Sequence, residues 1–322
     1  MDVMNNELLA LSSSPHVKHK NNTRRIMLDV IIAMLPAFIW SVVVFGWRSI
    51  LLTAVSVASC VLFEFGYEKI MKKPNTVGDL SAVITGMLLA FNVPAHAAWW
   101  LMPTGAFFAI VIVKQLFGGI GKNVVNPAIA ARIFLFVSWP DQLTHFSEPI
   151  TDAISSATVL SALKQGIILE DYSILDMFLG FCPGSLGEVS ALMLLIGGIY
   201  LIIRRVITWH IPVAFLGTVA IFGLIFPQAG GNVEHMLYAL CSGGLMLGAI
   251  FMATDYTTSP VTPKGRLLFG FGCGALTVLI RYFGAYPEGV SFAIMIMNLL
   301  VWYIDRITIP VRFGGKKQKG GK

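Results

Sequence analysis

Apolar runs of bilayer length recur along the chain, separated by short stretches that collect its charges. A membrane-crossing helix needs about 20 mostly apolar residues. On that scale the runs 26–45, 49–68, 79–93, 97–116, 124–139, 187–203, 208–226, 233–253, 266–284 and 290–309 predict roughly ten transmembrane helices, the third and fifth of them short. The longest polar interval, 140–186, divides them into two groups of five. The expected fold is an all-α polytopic membrane protein.

Charge gives the orientation. One alternating set of flanks holds Lys18, Lys20, Arg24 and Arg25, then Lys69, Lys72 and Lys73, then Lys114 and Lys122, then Arg204 and Arg205, then Lys264 and Arg266, and last Arg306, Arg312 and the lysine tail. The other set holds little beyond Arg48, Lys164 and Arg281. Basic loops stay in the cytoplasm, so both termini are expected inside. Residues 1–25 then form a cytoplasmic arm, 26–139 the first five-helix group, 187–310 the second, and 311–322 a basic cytoplasmic tail. The interval 140–186 falls outside and is acidic, with Asp141, Glu148, Asp152, Glu170, Asp171 and Asp176.

The two groups echo each other. "ITGMLLAFNVPA" (84–95) parallels "GGLMLGAIFMAT" (243–254), and "LFGGIGKNVVNPAIAARIF" parallels "YFGAYPEGVSFAIMIMNLL". An odd number of spans per repeat reverses the second repeat in the membrane. Inverted repeats with interrupted helices are a transporter-like architecture.

Composition changes this picture little. Of 322 residues 56% are hydrophobic and 12% charged, against about 25% charged in soluble domains; mean hydropathy is +0.76. The net charge of +6 gathers at helix ends and in "GGKKQKGGK", where it meets a lipid surface; it is no nucleic-acid signature. Cys60, Cys182, Cys241 and Cys273 form no C-x-x-C pair, so the chain offers no iron–sulfur cluster motif. Cys60, Cys241 and Cys273 read as small core residues, while Cys182 stays open.

Four segments are candidates for chemistry. In "FGGIGKNVVNPAIAARIFLF" (117–136), Asn126-Pro127 reads as a helix start, with Asn126 as cap. Asn123 and Asn126 are amides that either bind a planar polar edge, such as a flavin pyrimidine ring, or only cap the helix. Arg132 is an intramembrane cation that needs a partner, functional or structural. In "FMATDYTTSPVTPKG" (251–265), Asp255 is a carboxylate able to accept from a flavin N–H or ribityl hydroxyl, to hold a cation, or to sit in water at a helix end. Glu288 precedes the last span and reads as a charge favoured by the helix dipole. Glu64, Glu68, Asp29 and Asp305 lie near membrane depth, where helix-end snorkelling accounts for most such charges. Finally "TDAISSATVL" (151–160) places Thr158 among small residues on the outer interval, ahead of a short helix "VLSALKQG". That interval has no N-x-[ST] glycosylation acceptor.

Together "DAISSAT", "GGIGKNVVNPAIAARIF", "MATDYTTSP" and "RYFGAYPEGVSFAIMIMN" resemble one family from about Ser14 to Phe313. It comprises the D subunit of the Rnf complex and the homologous B subunit of the sodium-pumping NADH:quinone oxidoreductase. The resemblance implies a bacterial inner-membrane subunit that works with other subunits of such a complex. The complex moves electrons between ferredoxin and NAD⁺ and couples this to Na⁺ or H⁺ transport. It implies FMN joined through its phosphate to Thr158 by a flavin transferase using FAD, within a motif formed by Asp152, Ser155, Ser156, Ala157 and Thr158. Ser156 stands where the family often has Gly. It further implies a noncovalent riboflavin held by Asn123, Asn126 and Asp255, with Tyr256 replacing a common Pro. A transporter or channel of inverted-repeat type without flavin is the alternative reading of the spans alone.

Overall fold

The computed structural model describes residues 22–147, 154–155, 159–165, 173–188, 190–228, 230–284, 286 and 288–310. Its elements are α1 (Thr23–Phe45), α2 (Trp47–Ile70), α3 (Ser81–Phe91), α4 (Leu101–Gln115), α5 (Pro127–Ser138), α6 (Pro140–Thr144), β1 (Phe146–Ser147), β2 (Ile154–Ser155), α7 (Val159–Lys164), α8 (Ile174–Leu179), α9 (Ala191–Ile203), α10 (His210–Ile225), α11 (Asn232–Cys241), α12 (Leu245–Met252), α13 (Pro263–Phe283) and α14 (Val290–Thr308). Four helices, α1, α2, α13 and α14, are long and apolar enough to cross a bilayer, and α11 with α12 makes a fifth if counted as one bent span. The other apolar helices, α3, α4, α5, α9 and α10, are shorter. Among the described residues, β-structure amounts to the antiparallel pair β1–β2 and one bridge, Pro94 to Ser185.

Packing falls into two sets. α2 lies against α3 and α4, and α10 against α11 and α13; α4 packs on α5, and α13 on α14. Across the sets α1 meets α9 and α5 meets α14. Close approach depends on small residues, as in other apolar bundles. On α13, Gly270 and Gly274 face α10, where an added Cβ would come within 2.8 Å of Ile211 O and 3.0 Å of Phe215 O.

The expected single span 233–253 is broken. α11 and α12 meet at 64°, because Gly243 and Gly244 take φ of +68° and +66°, a left-handed turn that glycine adopts without strain. The freed carbonyls are satisfied by Arg281, which donates to Ala239 O (2.7 Å), Ser242 O (3.0 Å) and Gly243 O (3.4 Å). α3 is likewise short at 11 residues. Beyond it the chain runs extended, and Leu186 and Gly187 donate to Val93 O (3.0 Å) and Phe91 O (2.9 Å).

Candidate functional site

A cavity of about 460 Å³ opens where the first residues of α1, α3 and α5 meet the last of α4, α9 and α12. Thr23, Ser81, Lys114, Asn126, Leu201 and Asp255 mark these segments on its wall. Most of the lining is apolar, from Ile26, Met27, Val30, Ile84, Leu88 and Phe251. The described residues of 140–188 include two that meet the bundle at other points: Phe181 packs on Trp40 near the end of α1 (5.6 Å between rings), and Lys164 donates to Gly284 O just after α13.

The three residues expected to hold a noncovalent flavin, Asn123, Asn126 and Asp255, all line this cavity. They do different work. Asn126 caps α5: its Oδ1 accepts from the N–H groups of Ala128 (3.0 Å) and Ile129 (3.5 Å), and its Nδ2 donates to Met252 O (3.2 Å). The amide of Asn298 on α14, in the orientation that satisfies both its ends, accepts from the Asn126 N–H (3.2 Å) and donates to Thr258 O (3.0 Å). Asn123, in contrast, has a buried Oδ1 with no hydrogen-bond partner. Asp255 is half-buried rather than immersed in water. Its Oδ2 accepts from the hydroxyls of Thr257 (3.0 Å) and Thr258 (3.3 Å), and its Oδ1 from the Thr257 N–H (3.4 Å). Tyr256 also lines the cavity and donates to Val206 O on the same wall.

Sequence reasoning missed Lys114. By charge pattern it reads as a basic flank, yet it is fully buried on the cavity wall, with Nζ 2.6 Å from both Glu64 Oε1 and Ser81 Oγ. The signal was present: Lys114 is the one charge in the run "FFAIVIVKQLF", and a lone intramembrane cation marks a functional position by default. From Phe108 onward α4 is wound as a π-helix, with Leu116 N–H bonding Val111 O (3.0 Å) and Gly119 N–H bonding Lys114 O (3.0 Å). Such widened turns concentrate at functional sites.

Snorkelling is overturned for Glu64 and Glu68, which are 0% and 3% exposed. Glu64 Oε1 also accepts from Gln115 Nε2 (3.0 Å), and Glu68 Oε2 from the Thr76 N–H (3.1 Å). Glu288 is more than a dipole charge. It pairs with Arg132 Nη2, whose neighbour Nη1 reaches Ser291 Oγ (2.9 Å), Asn92 Oδ1 (3.1 Å) and Glu188 Oε1 (3.3 Å). Arg132 therefore belongs to a buried structural network and not to the cavity. Asp29 pairs with Arg204 (3.1 Å), and Asp305 accepts from the Val261 N–H (3.1 Å). Cys182 is buried, and burial pushes its thiol up to about 12, which makes it inert at neutral pH.

Asp152, Ser156, Ala157 and Thr158 lie outside the described residues. Ser155 is described as a strand residue opposite Phe146. The expected helix after Thr158 is present as α7, anchored by Lys164 and by Leu160, which lies against Gly243 at the bend between α11 and α12.

Comparison with known proteins accounts for the whole chain. The model of the NQR2, RnfD, RnfE family matches residues 10–314. The D subunit of the Na⁺-translocating ferredoxin:NAD⁺ oxidoreductase complex of Acetobacterium woodii is 49% identical, covering 98% of each chain. The D subunit of the proton-translocating ferredoxin:NAD⁺ oxidoreductase complex of Clostridium ljungdahlii is 40% identical over 96% of this chain and 97% of its own. The D subunit of the ion-translocating oxidoreductase complex of Stutzerimonas stutzeri is 39% identical over 92% and 93%. These relatives are subunits of ion-translocating oxidoreductases, and this chain, multi-pass and mostly helical, belongs to the NQR2, RnfD, RnfE family.

Proposed function

We propose that the chain is an electron-carrying membrane subunit of a ferredoxin:NAD⁺ oxidoreductase complex that drives Na⁺ or H⁺ across the bacterial inner membrane. In this reading it carries FMN on Thr158, facing outward, and holds riboflavin in the cavity. The observation that carries the second assignment is the convergence of Asn123, Asn126 and Asp255, from segments more than a hundred residues apart in sequence, on one cavity of about 460 Å³. Small-ligand sites occupy roughly 300–1,000 Å³ and pair an apolar body with a few fixed polar groups. An isoalloxazine ring has that character. The partnerless Asn123 Oδ1 is suited to one of its N–H donors.

A bound flavin supplies the electron chemistry; the protein supplies position and electrostatics. Asn126 fixes the start of α5 and its link to α12. Asn123 and Asp255 offer acceptors, and the aliphatic lining keeps water off the ring face. On the outer side, the Thr158 oxygen displaces AMP from FAD and forms a phosphoester with FMN. The small residues Ser155, Ser156 and Ala157 just before Thr158 suit access by the transferase. The paired packing of α2 with α3 and α4, and of α10 with α11 and α13, supports two inverted five-helix repeats, and the basic flanks support cytoplasmic termini with residues 140–186 outside.

The test is a cofactor inventory of the chain purified from its membrane. In-gel fluorescence after denaturation and a mass increment of one FMN moiety are expected, both lost in Thr158→Val. Extractable riboflavin is expected to fall in Asn126→Ala and Asp255→Ala while the covalent flavin remains. A colourless, unmodified native chain would leave the flavin reading without support and return the transporter reading to first place.

A further inference from the structure

The cavity presents a cation that neither flavin assignment uses. Lys114 and Ser81 line it, whereas Glu64, the counter-ion of Lys114, does not. The ammonium thus stands at the wall with its carboxylate behind it. An ammonium has three N–H donors. Glu64 Oε1 and Ser81 Oγ take two of them at 2.6 Å each, and among the described residues no acceptor takes the third. The Ser81 hydroxyl spends its own proton on Asp79 Oδ1, so it acts on Lys114 only as an acceptor. Gln115 Nε2 donates to the same Glu64 oxygen (3.0 Å), while the Thr76 hydroxyl spends its proton on Glu68 Oε1 and Glu64 Oε2 has no hydrogen-bond partner among the described residues. The cavity's carboxylate, Asp255, is engaged with Thr257 and Thr258.

A fixed charge in a mostly apolar cavity discriminates between ligand charge states more strongly than the same charge in water. Oxidised flavin is neutral. A flavin that has taken up two electrons and one proton is an anion.

We propose that Lys114 is a charge-tuning residue of the cavity: its ammonium, braced by Glu64 and Ser81 with one donor to spare, makes the site bind the reduced anionic flavin ring more tightly than the oxidised ring. This rests on the reading of the cavity as a flavin site. Lys114 lies on the π-helical turn of α4 and points into the bundle, toward Glu64 on α2 and Ser81 on α3.

The test uses the full chain in detergent in a Thr158→Val background, stripped of noncovalent flavin. It is titrated with riboflavin as such and with riboflavin reduced by dithionite, which supplies the electrons. Lys114→Met alone leaves Glu64 buried and unpaired, so Lys114→Met with Glu64→Gln is measured beside it, and Lys114→Arg keeps the charge. The ratio of reduced to oxidised affinity is expected to fall tenfold or more in the double variant, equivalent to about 30 mV in a two-electron potential. Lys114→Arg is expected to keep most of the parental ratio. An unchanged ratio in the double variant, or equal weakening of both affinities, overturns the role of Lys114 while leaving the flavin site intact. Failure of the parental chain to take up riboflavin in either state overturns the flavin reading itself, and the role of Lys114 with it.

Discussion

Two buried ion networks, built from similar parts, have opposite surroundings. Around Arg132 the guanidinium is enclosed by Glu188, Glu288, Asn92 and Ser291, and the void beside the two carboxylates is about 30 Å³, room for little more than a water. Around Lys114 the ammonium is braced by Glu64 and Ser81 but borders about 460 Å³ of space. The first network closes on the protein and ties α3, α5, the segment before α9 and the start of α14 into one body. The second has donor capacity left over and somewhere to use it. A buried charge by itself does not mark a site; a buried charge with an unspent hydrogen bond beside a cavity does.

That contrast can be broken by mutation. The largest effect is expected at Arg132. Arg132→Met leaves two carboxylates buried without their cation and costs about 3–5 kcal/mol, read as a lowered unfolding midpoint in detergent. Adding Glu188→Gln and Glu288→Gln is expected to recover much of that loss. A stable Arg132→Met protein with altered flavin content would reverse the assignment of the two networks. Next comes Asn126→Ala, which removes a helix cap worth about 0.5–2 kcal/mol and depletes riboflavin as well. Asn123→Ala is expected to stay within about 0.5 kcal/mol of the parent, since its Oδ1 has no protein partner, yet to deplete riboflavin similarly. Equal destabilisation by the two substitutions would show that Asn123 is structural too.

The smallest effect is expected at the start of α8. Asp176 closes a capping box with Ser173 at the start of α8, accepting from its hydroxyl (2.6 Å) and N–H (3.1 Å). These bonds hold its carboxyl below the usual carboxylate range. A lowered folded value means the cap's contribution is present at neutral pH and is lost as pH falls through that value. Carbon-13 titration of Asp176 is expected to give a midpoint under the ordinary 3.9 or so, rising toward it in Ser173→Ala.

The sequence made the apolar helices legible because bilayer length is a strong local signal. Asn126-Pro127 was equally plain, since cap and first-turn proline are adjacent residues, and α5 starts there. What stayed hidden is long-range or conformational. Arg132 and Glu288 are 156 positions apart, and nothing local to either names the other. Gly243 and Gly244 resemble ordinary packing glycines; their left-handed turn appears only when Arg281 is seen to collect the carbonyls of the break. Lys114 was hidden by its nearness to the end of an apolar run. A π-helical turn shifts the facing of every later residue, which no 3.6-residue pattern reveals. Asn123, Asn126 and Asp255 were named from resemblance; their shared cavity is a tertiary fact.

The shortness of α3 has an electrical consequence. Eleven residues rise only about 16 Å at 1.5 Å each, roughly half of a 30 Å hydrocarbon layer. Beyond Phe91 the helix gives way to irregular backbone, whose peptide groups pair with residues 185–187. An α3 of this length cannot cross such a layer alone, so any crossing at this point is completed by paired peptide groups, which carry dipoles that an apolar side-chain surface lacks.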